Sequence, residues 1–246
     1  MVQDNFDIFS LAVLLIVIVV APLLGIWDFR RLGRWVAEGR TDARLKSYRW
    51  ILYMEWGTTL ALAAWWMLSG RDLGALAIVS SFAGWQWLAL GLGLAGTGFV
   101  IWQMVQVLAD PAELAKLRDQ MGDLRHLAPQ TAPERRGFVQ VAITAGICEE
   151  IVYRGILMGV LTPVTGLWPA VGLSSVIFGM GHLYQGFTGV LKTTAVGLVM
   201  ALLAVFSGSL LMPIVLHAVI DLTSGRMMGA ALAQENPPAD LEAARA

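Results

Sequence analysis

The sequence predicts an all-α protein, a polytopic bundle of about seven transmembrane helices with its N-terminus outside and its C-terminus in the cytoplasm. Of its 246 residues, 57% are hydrophobic and only 14% are charged, whereas about a quarter of a soluble domain is charged. The apolar residues also gather in stretches of around 20, the length of helix that crosses the hydrocarbon core of a bilayer. A single cysteine, Cys148, excludes an internal disulfide.

Residues 1–108 are predicted to hold three transmembrane helices, at about residues 8–26, 50–68 and 85–108. Seven Lys and Arg residues follow the first helix, and only Arg71 follows the second. The positive-inside rule therefore places the first connection in the cytoplasm. Glu55 lies near the start of the second helix and is expected to reach the membrane interface. An eighth helix within residues 73–83 is an alternative.

Residues 109–137 are predicted to form a cytoplasmic amphipathic segment. Asp110, Pro111 and Glu113 are typical of a helix start. Apolar residues then recur at helical spacing from Leu114 to Leu127. A short interfacial helix and a solvated linker helix both fit this pattern.

Residues 138–228 are predicted to form a four-helix core, and residues 229–246 a disordered tail. The core contains four apolar runs, at about residues 138–161, 168–185, 190–206 and 210–228. Pro237 and Pro238 interrupt the polar tail that follows them.

Ionisable side chains lie inside the predicted core helices, where charge is costly and therefore indicates function. They are Glu149, Glu150, Arg154, His182, His217 and Asp221. Glu150 and Arg154 are four residues apart, so they can neutralise each other on one helical face. Glu149 then points about 100° away, without that partner. His217 and Asp221 have the same spacing, which suits a carboxylate that fixes one imidazole tautomer. A purely structural ion pair with hydrogen-bonding histidines is the alternative interpretation.

Three motifs in this region resemble the CPBP family, which comprises type II CAAX prenyl endopeptidases and bacterial bacteriocin-processing and self-immunity proteins. They are Glu-Glu-x-x-x-Arg at residues 149–154, Phe-x-x-x-His at residues 178–182 and His-x-x-x-Asp at residues 217–221. The resemblance covers about residues 138–225. The last position of the third motif is Asp221, where the prenyl endopeptidases carry Asn, and this difference favours the bacterial branch.

The resemblance implies an intramembrane endopeptidase that hydrolyses a peptide bond with an activated water. In this scheme Glu149 is the base and His182 assists it. His217 and Asp221 stabilise the oxyanion or help to hold a metal. The residues that orient the site are Glu150, Arg154 and Phe178. His182, His217 and Glu149 would suffice to ligate a catalytic zinc ion, but the same groups could act without a metal, and both alternatives stay open.

The expected partners are membrane lipids and a peptide or protein substrate, lipidated or not. No nucleic acid is expected, because membrane topology explains the basic residues. The expected location is a bacterial inner membrane. A second hypothesis is a non-enzymatic membrane protein, either an immunity or scaffold factor or a small transporter, because intramembrane Glu and His also build proton relays. The absence of broken helices in inverted repeats counts against a transporter.

Overall fold

The structure, a computed structural model, describes residues 7–71, 73–76 and 83–234, which fold almost entirely as helices with no strand among them. The main helices are α1 (Ile8–Ala37), α2 (Ala43–Leu68), α3 (Gln86–Ala109), α4 (Pro111–Gln120), α5 (Ala132–Glu150), α6 (Met158–Thr165), α7 (Leu167–Gly181), α8 (Gly186–Ser207) and α9 (Leu211–Ala233). Two π-helical segments occur, at Ile16–Val20 within α1 and at Ile151–Leu157 between α5 and α6. Short 3-10 helices lie at Leu73–Leu76, Gly122–His126 and Leu183–Gln185. The all-α prediction is confirmed.

Four helical segments of the described chain are long and apolar enough to cross a membrane. They are α1, α3, α9 and the segment Leu183–Ser207, which includes α8. The other predicted spans are helical as well, but α7 has only 15 residues, and α2 and α5 carry charged residues. The count of seven spans and the orientation of the termini therefore stay predictions. Most of the region proposed for an eighth helix lies outside the described residues.

The segment that follows α3 packs on the protein itself. The Asp110 carboxylate accepts a hydrogen bond from the backbone N–H of Ala112 at 2.8 Å, so it caps α4 as predicted. Leu114 and Met121 are buried in a small cluster with residues near the end of α9. That helix continues to Ala233, beyond the predicted end of the core at residue 228, and residues 235–246 lie outside the described chain.

Helices α1 and α2 form an antiparallel pair. At one end the rings of Phe9 and Trp66 meet at a centroid distance of 5.9 Å. Toward the other end, the hydroxyl of Ser47 donates to the carboxylate of Asp28 at 2.6 Å. Helix α5 packs between α2 and α9, and α7 packs on α8. Helix α5, which carries the first motif, therefore adjoins α9, which carries the third, and the π segment that follows α5 packs on α7, which carries the second.

Helix α5 begins at a complete capping box formed by Thr131 and Glu134. The Oε2 atom of Glu134 accepts hydrogen bonds from the backbone N–H groups of Gln130 and Thr131, both at 2.9 Å, and the Thr131 hydroxyl accepts from the N–H of Glu134. Burial raises the pKa of Glu134. These N–H groups and the nearby guanidinium of Arg44 lower it by a larger amount, so the pKa lies below its usual value. The start of the helix that carries the acidic motif is thus firmly fixed.

Candidate active site

The acidic motif lies where α5 changes from an α-helix to a π-helix. Glu149 and Glu150 are the last two residues of α5, and Arg154 lies within the π segment Ile151–Leu157. The backbone carbonyl of Tyr153 in this segment accepts a hydrogen bond from the Ser174 hydroxyl of α7 at 3.0 Å. Such π segments are frequent at functional sites, because they alter the angles at which successive side chains project.

The predicted ion pair between Glu150 and Arg154 is present and fully buried. The Nη1 atom of Arg154 lies 2.9 Å from Oε1 of Glu150, and neither side chain is exposed. The Nη2 atom of Arg154 donates to the carbonyl of Gly197 on α8 at 2.8 Å. The guanidinium also stacks 4.3 Å above the ring of Phe178. Arg154 thereby joins the acidic motif to α7 and α8.

Glu150 also holds His217 of α9. The Oε1 atom of Glu150 lies 2.8 Å from Nδ1 of His217, whereas Oδ2 of Asp221 lies 3.8 Å from Nε2 of the same ring. The expectation that Asp221 fixes the imidazole tautomer is therefore wrong. Glu150 fixes the tautomer instead, because it faces His217 across the helix interface. Asp221 lies one turn away from His217, and its side chain is 35% exposed. The Glu150 carboxylate accepts a hydrogen bond, so Nδ1 of His217 carries a proton, and Nε2 of the ring is directed toward Asp221.

Glu149 approaches the same imidazole from α5. Its Oε2 atom lies 3.7 Å from Nε2 of His217. This oxygen is buried, and it accepts no hydrogen bond from an N–H or hydroxyl group of the described residues. The two acidic residues of the first motif thus face the two different nitrogen atoms of one histidine.

His182 follows the last residue of α7, and its Nδ1 lies 3.0 Å from the carbonyl oxygen of Phe178. Because a carbonyl accepts, Nδ1 carries the proton, and Nε2 is the acceptor of the neutral ring. The buried ring of Phe178 lies 5.0 Å from the imidazole of His182 and 5.7 Å from that of His217. One aromatic side chain therefore separates the two histidines, and all three motifs meet around it.

Glu55 is an acidic residue near Glu149 that the motifs do not include. Its carboxyl group lies near those of Glu149 and Asp221 and near the imidazole of His217. Glu55 is the 13th of the 26 residues of α2, which begins at Ala43, and the expectation that it reaches the membrane interface stays a prediction. Charged residues at the start of the helix hid its true beginning, and a carboxylate at mid-helix is the signal that could have indicated a role at this site.

The zinc site that the sequence left open does not fit this arrangement. Among the described residues, no group of three or more His, Cys, Asp and Glu side chains is placed to hold one metal ion. Nδ1 of His217 faces Glu150 and Nδ1 of His182 faces a carbonyl, so only Nε2 of each ring could bind a metal, and no third ligand among the described residues is grouped with the two rings. We therefore derive no catalytic step through a metal.

Comparison of the sequence with known protein families found a match to one family model. Residues 135–223 match the family model of the type II CAAX prenyl endopeptidase, Rce1-like proteins, and this range contains all three motifs. No curated protein and no solved structure matches the chain. The family and the four apolar helical segments together make this an integral membrane protein. The resemblance that the motifs indicated is confirmed by this match: residues 135–223 are similar to the Rce1-like type II CAAX prenyl endopeptidases.

Proposed function

We propose that the protein is an intramembrane endopeptidase that hydrolyses a peptide bond with a water molecule activated by Glu149. The observation that carries this proposal is the position of Glu149, whose Oε2 atom is buried, without an N–H or hydroxyl donor among the described residues, and 3.7 Å from Nε2 of His217. A carboxylate beside an imidazole in a poorly solvated site is suited to move a proton at neutral pH. The buried Glu150–Arg154 pair keeps that imidazole in place.

Peptide hydrolysis needs a base for the water, a donor for the oxyanion and a proton for the leaving amine. In our proposal Glu149 takes a proton as the water oxygen attacks the carbonyl carbon. His182 assists by accepting a hydrogen bond from the same water through Nε2. His217 donates to the oxyanion from Nε2 when that atom carries a proton, and Asp221 supports it. As the C–N bond breaks, Glu149 returns its proton to the amine.

The family indicates the class of substrate. Its members are named for endoproteolysis of CAAX prenyl proteins, so we propose a peptide or protein substrate that is cleaved close to the membrane surface. Asp221 replaces the Asn of the prenyl endopeptidases, and we therefore propose a bacterial inner-membrane enzyme for which a lipid on the substrate is not essential.

The test is cleavage of paired peptides by the purified protein in detergent. The peptides share one CAAX sequence and differ only in a prenyl group on the cysteine, and mass spectrometry locates the cut. A Glu149→Gln/His217→Ala double variant, purified in parallel, controls for contaminating proteases. Cleavage by the wild type alone supports the endopeptidase. Cleavage of neither peptide, or equal cleavage by the double variant, contradicts it, and a non-enzymatic binding role would then replace it. Cleavage of the prenylated peptide alone would show that the lipid is required.

A further inference from the structure

One face of α1 carries exposed side chains at helical spacing along the whole helix. Its first part is apolar and comprises Ile8, Leu11, Leu15, Val19, Leu23 and Trp27. At a rise of 1.5 Å per residue this part is about 29 Å long, which matches the thickness of the hydrocarbon core of a bilayer. The next exposed positions on the same face are Arg30 and Arg34. These two arginines therefore lie just beyond the hydrocarbon, at the level of the lipid headgroups.

Two tryptophan rings connect α1 to α2 at the same level. The rings of Trp27 and Trp50 meet edge to face at a centroid distance of 5.6 Å. The guanidinium of Arg31 lies 4.3 Å from the centre of the Trp27 ring and 5.3 Å from that of the Trp50 ring. Arg31 also forms an ion pair with the buried carboxylate of Asp28, so its charge is compensated within the protein. Tryptophan is enriched at membrane interfaces, which agrees with the boundary that the exposed face of α1 indicates.

The region around these rings has an excess of positive charge. Residues 28–49 contain seven basic and three acidic residues. Two of the acids, Asp28 and Asp42, form ion pairs with other basic side chains of the region. Within the described chain, no carboxylate lies in ion-pair distance of three exposed arginines, which are Arg30, Arg34 and Arg49. Charge complementarity therefore requires an anionic partner from outside the protein.

We propose that Arg30, Arg34 and Arg49 form a binding surface for the phosphate groups of anionic phospholipids. A lipid fits this surface better than a soluble partner does, because the two arginines of α1 continue its exposed apolar face. Arg49 directly precedes Trp50 in α2, so the third cation lies beside the tryptophan pair. A lipid bound there contacts both helices and stabilises their pairing. This inference does not depend on the proposed peptidase activity.

The test measures lipid binding by the full chain in a neutral detergent. Native mass spectrometry compares phosphatidylglycerol with phosphatidylcholine of the same acyl chains. Each Lys or Arg near an anionic membrane surface contributes about fivefold in affinity, so the wild type should prefer phosphatidylglycerol by at least about tenfold. The variant Arg30→Gln/Arg34→Gln/Arg49→Gln should bind the two lipids about equally. A wild type without a preference overturns the proposal, whatever the variant does.

A matched control removes the same charge elsewhere. The variant Lys116→Gln/Arg125→Gln/Arg136→Gln changes three exposed basic residues of the chain between α3 and the first turns of α5, and it should keep the preference for phosphatidylglycerol. Equal loss of the preference in both triple variants overturns the proposal, because the attraction would then depend only on net charge. Melting temperatures without lipid show whether each variant is folded.

A second measurement uses the wild type alone and separates a lipid from a soluble acidic partner. Phosphatidylglycerol should raise the melting temperature, because a ligand that binds only the folded state stabilises it. Phosphatidylcholine and a soluble polyglutamate peptide should raise it less. If polyglutamate raises it as much as phosphatidylglycerol does, the surface recognises acidic protein and the proposal is overturned.

Discussion

The Oε1 atom of Glu150 lies 2.8 Å from Nδ1 of His217 and accepts from Arg154 at 2.9 Å. One carboxylate oxygen therefore links the first motif to the third, 67 residues away along the chain. The charge on Arg154 compensates the buried carboxylate, and the carboxylate in turn fixes the imidazole. Substitution of any one of the three residues should therefore disturb the position of the other two.

This relationship predicts that Glu150→Gln reduces peptide cleavage more than Asp221→Asn. Gln at position 150 removes the negative charge between a guanidinium and an imidazole. Asp221 makes no hydrogen bond to His217 at 3.8 Å, so its replacement should cost only a few-fold in rate. Cleavage rates and melting temperatures of both variants in one detergent check the prediction. A larger loss for Asp221→Asn would contradict it.

Removal of Arg154 should destabilise the protein severely. Breaking a buried ion pair on one side typically costs about 3–5 kcal/mol, because the remaining charge is left without compensation. Arg154→Met should therefore express poorly, and adding Glu150→Leu should restore part of the expression. The double variant should still cleave poorly, because His217 has lost its acceptor. Equal expression of the single and double variants would argue against the pairing as the cause.

A methyl group at Gly197 should disturb the site from α8. A Cβ there would lie 2.8 Å from the ring of Phe178 and 3.1 Å from Nη2 of Arg154, whereas a Cβ at Gly98 on α3 would meet nothing within 4 Å. We expect Gly197→Ala to lower both the melting temperature and the cleavage rate. Gly98→Ala should be neutral or slightly stabilising, because Ala favours the helix by about 1 kcal/mol over Gly. Similar melting temperatures for the two variants would contradict the close packing at Gly197.

The stability that Glu134 contributes should depend on pH. Burial raises the pKa of Glu134, but the N–H groups of Thr131 and Gln130 and the charge of Arg44 outweigh this, so the folded-state pKa is below the unfolded one. Its ionised form therefore stabilises the fold above about pH 4.3, and this contribution is lost as the pH falls through the folded pKa. We expect the difference in melting temperature between wild type and Glu134→Gln to be largest near neutral pH and to shrink in acid. A difference independent of pH would contradict the assignment.

The sequence was sufficient for features that depend on local spacing. The apolar runs coincide with helices, the Asp110 cap is present, and the four-residue interval between Glu150 and Arg154 predicted their ion pair. A helical repeat places such residues on one face whatever the rest of the fold does. The motifs also sufficed to indicate the family, which its sequence model then confirmed over residues 135–223.

Contacts between distant helices could not be predicted in this way. The same four-residue interval suggested that Asp221 holds His217, but α5 brings Glu150 closer to that ring. The proximity of Glu55 to Glu149 depends on how α2 lies against α5, and the periodicity of the sequence holds no information on that packing. The π segment Ile151–Leu157 also changes the angle at which the side chains after Glu150 project.

The most direct test of the central claim is the cleavage rate of Glu149→Gln. Gln has nearly the shape of Glu but cannot take a proton from water, so fold and substrate binding should remain. General base catalysis typically contributes about 10²–10⁴ in rate, and kcat should fall by at least that factor with KM and melting temperature unchanged. A Glu149→Gln protein that keeps most of the wild-type rate, or loses it only together with its fold, would contradict the claim that Glu149 activates the water.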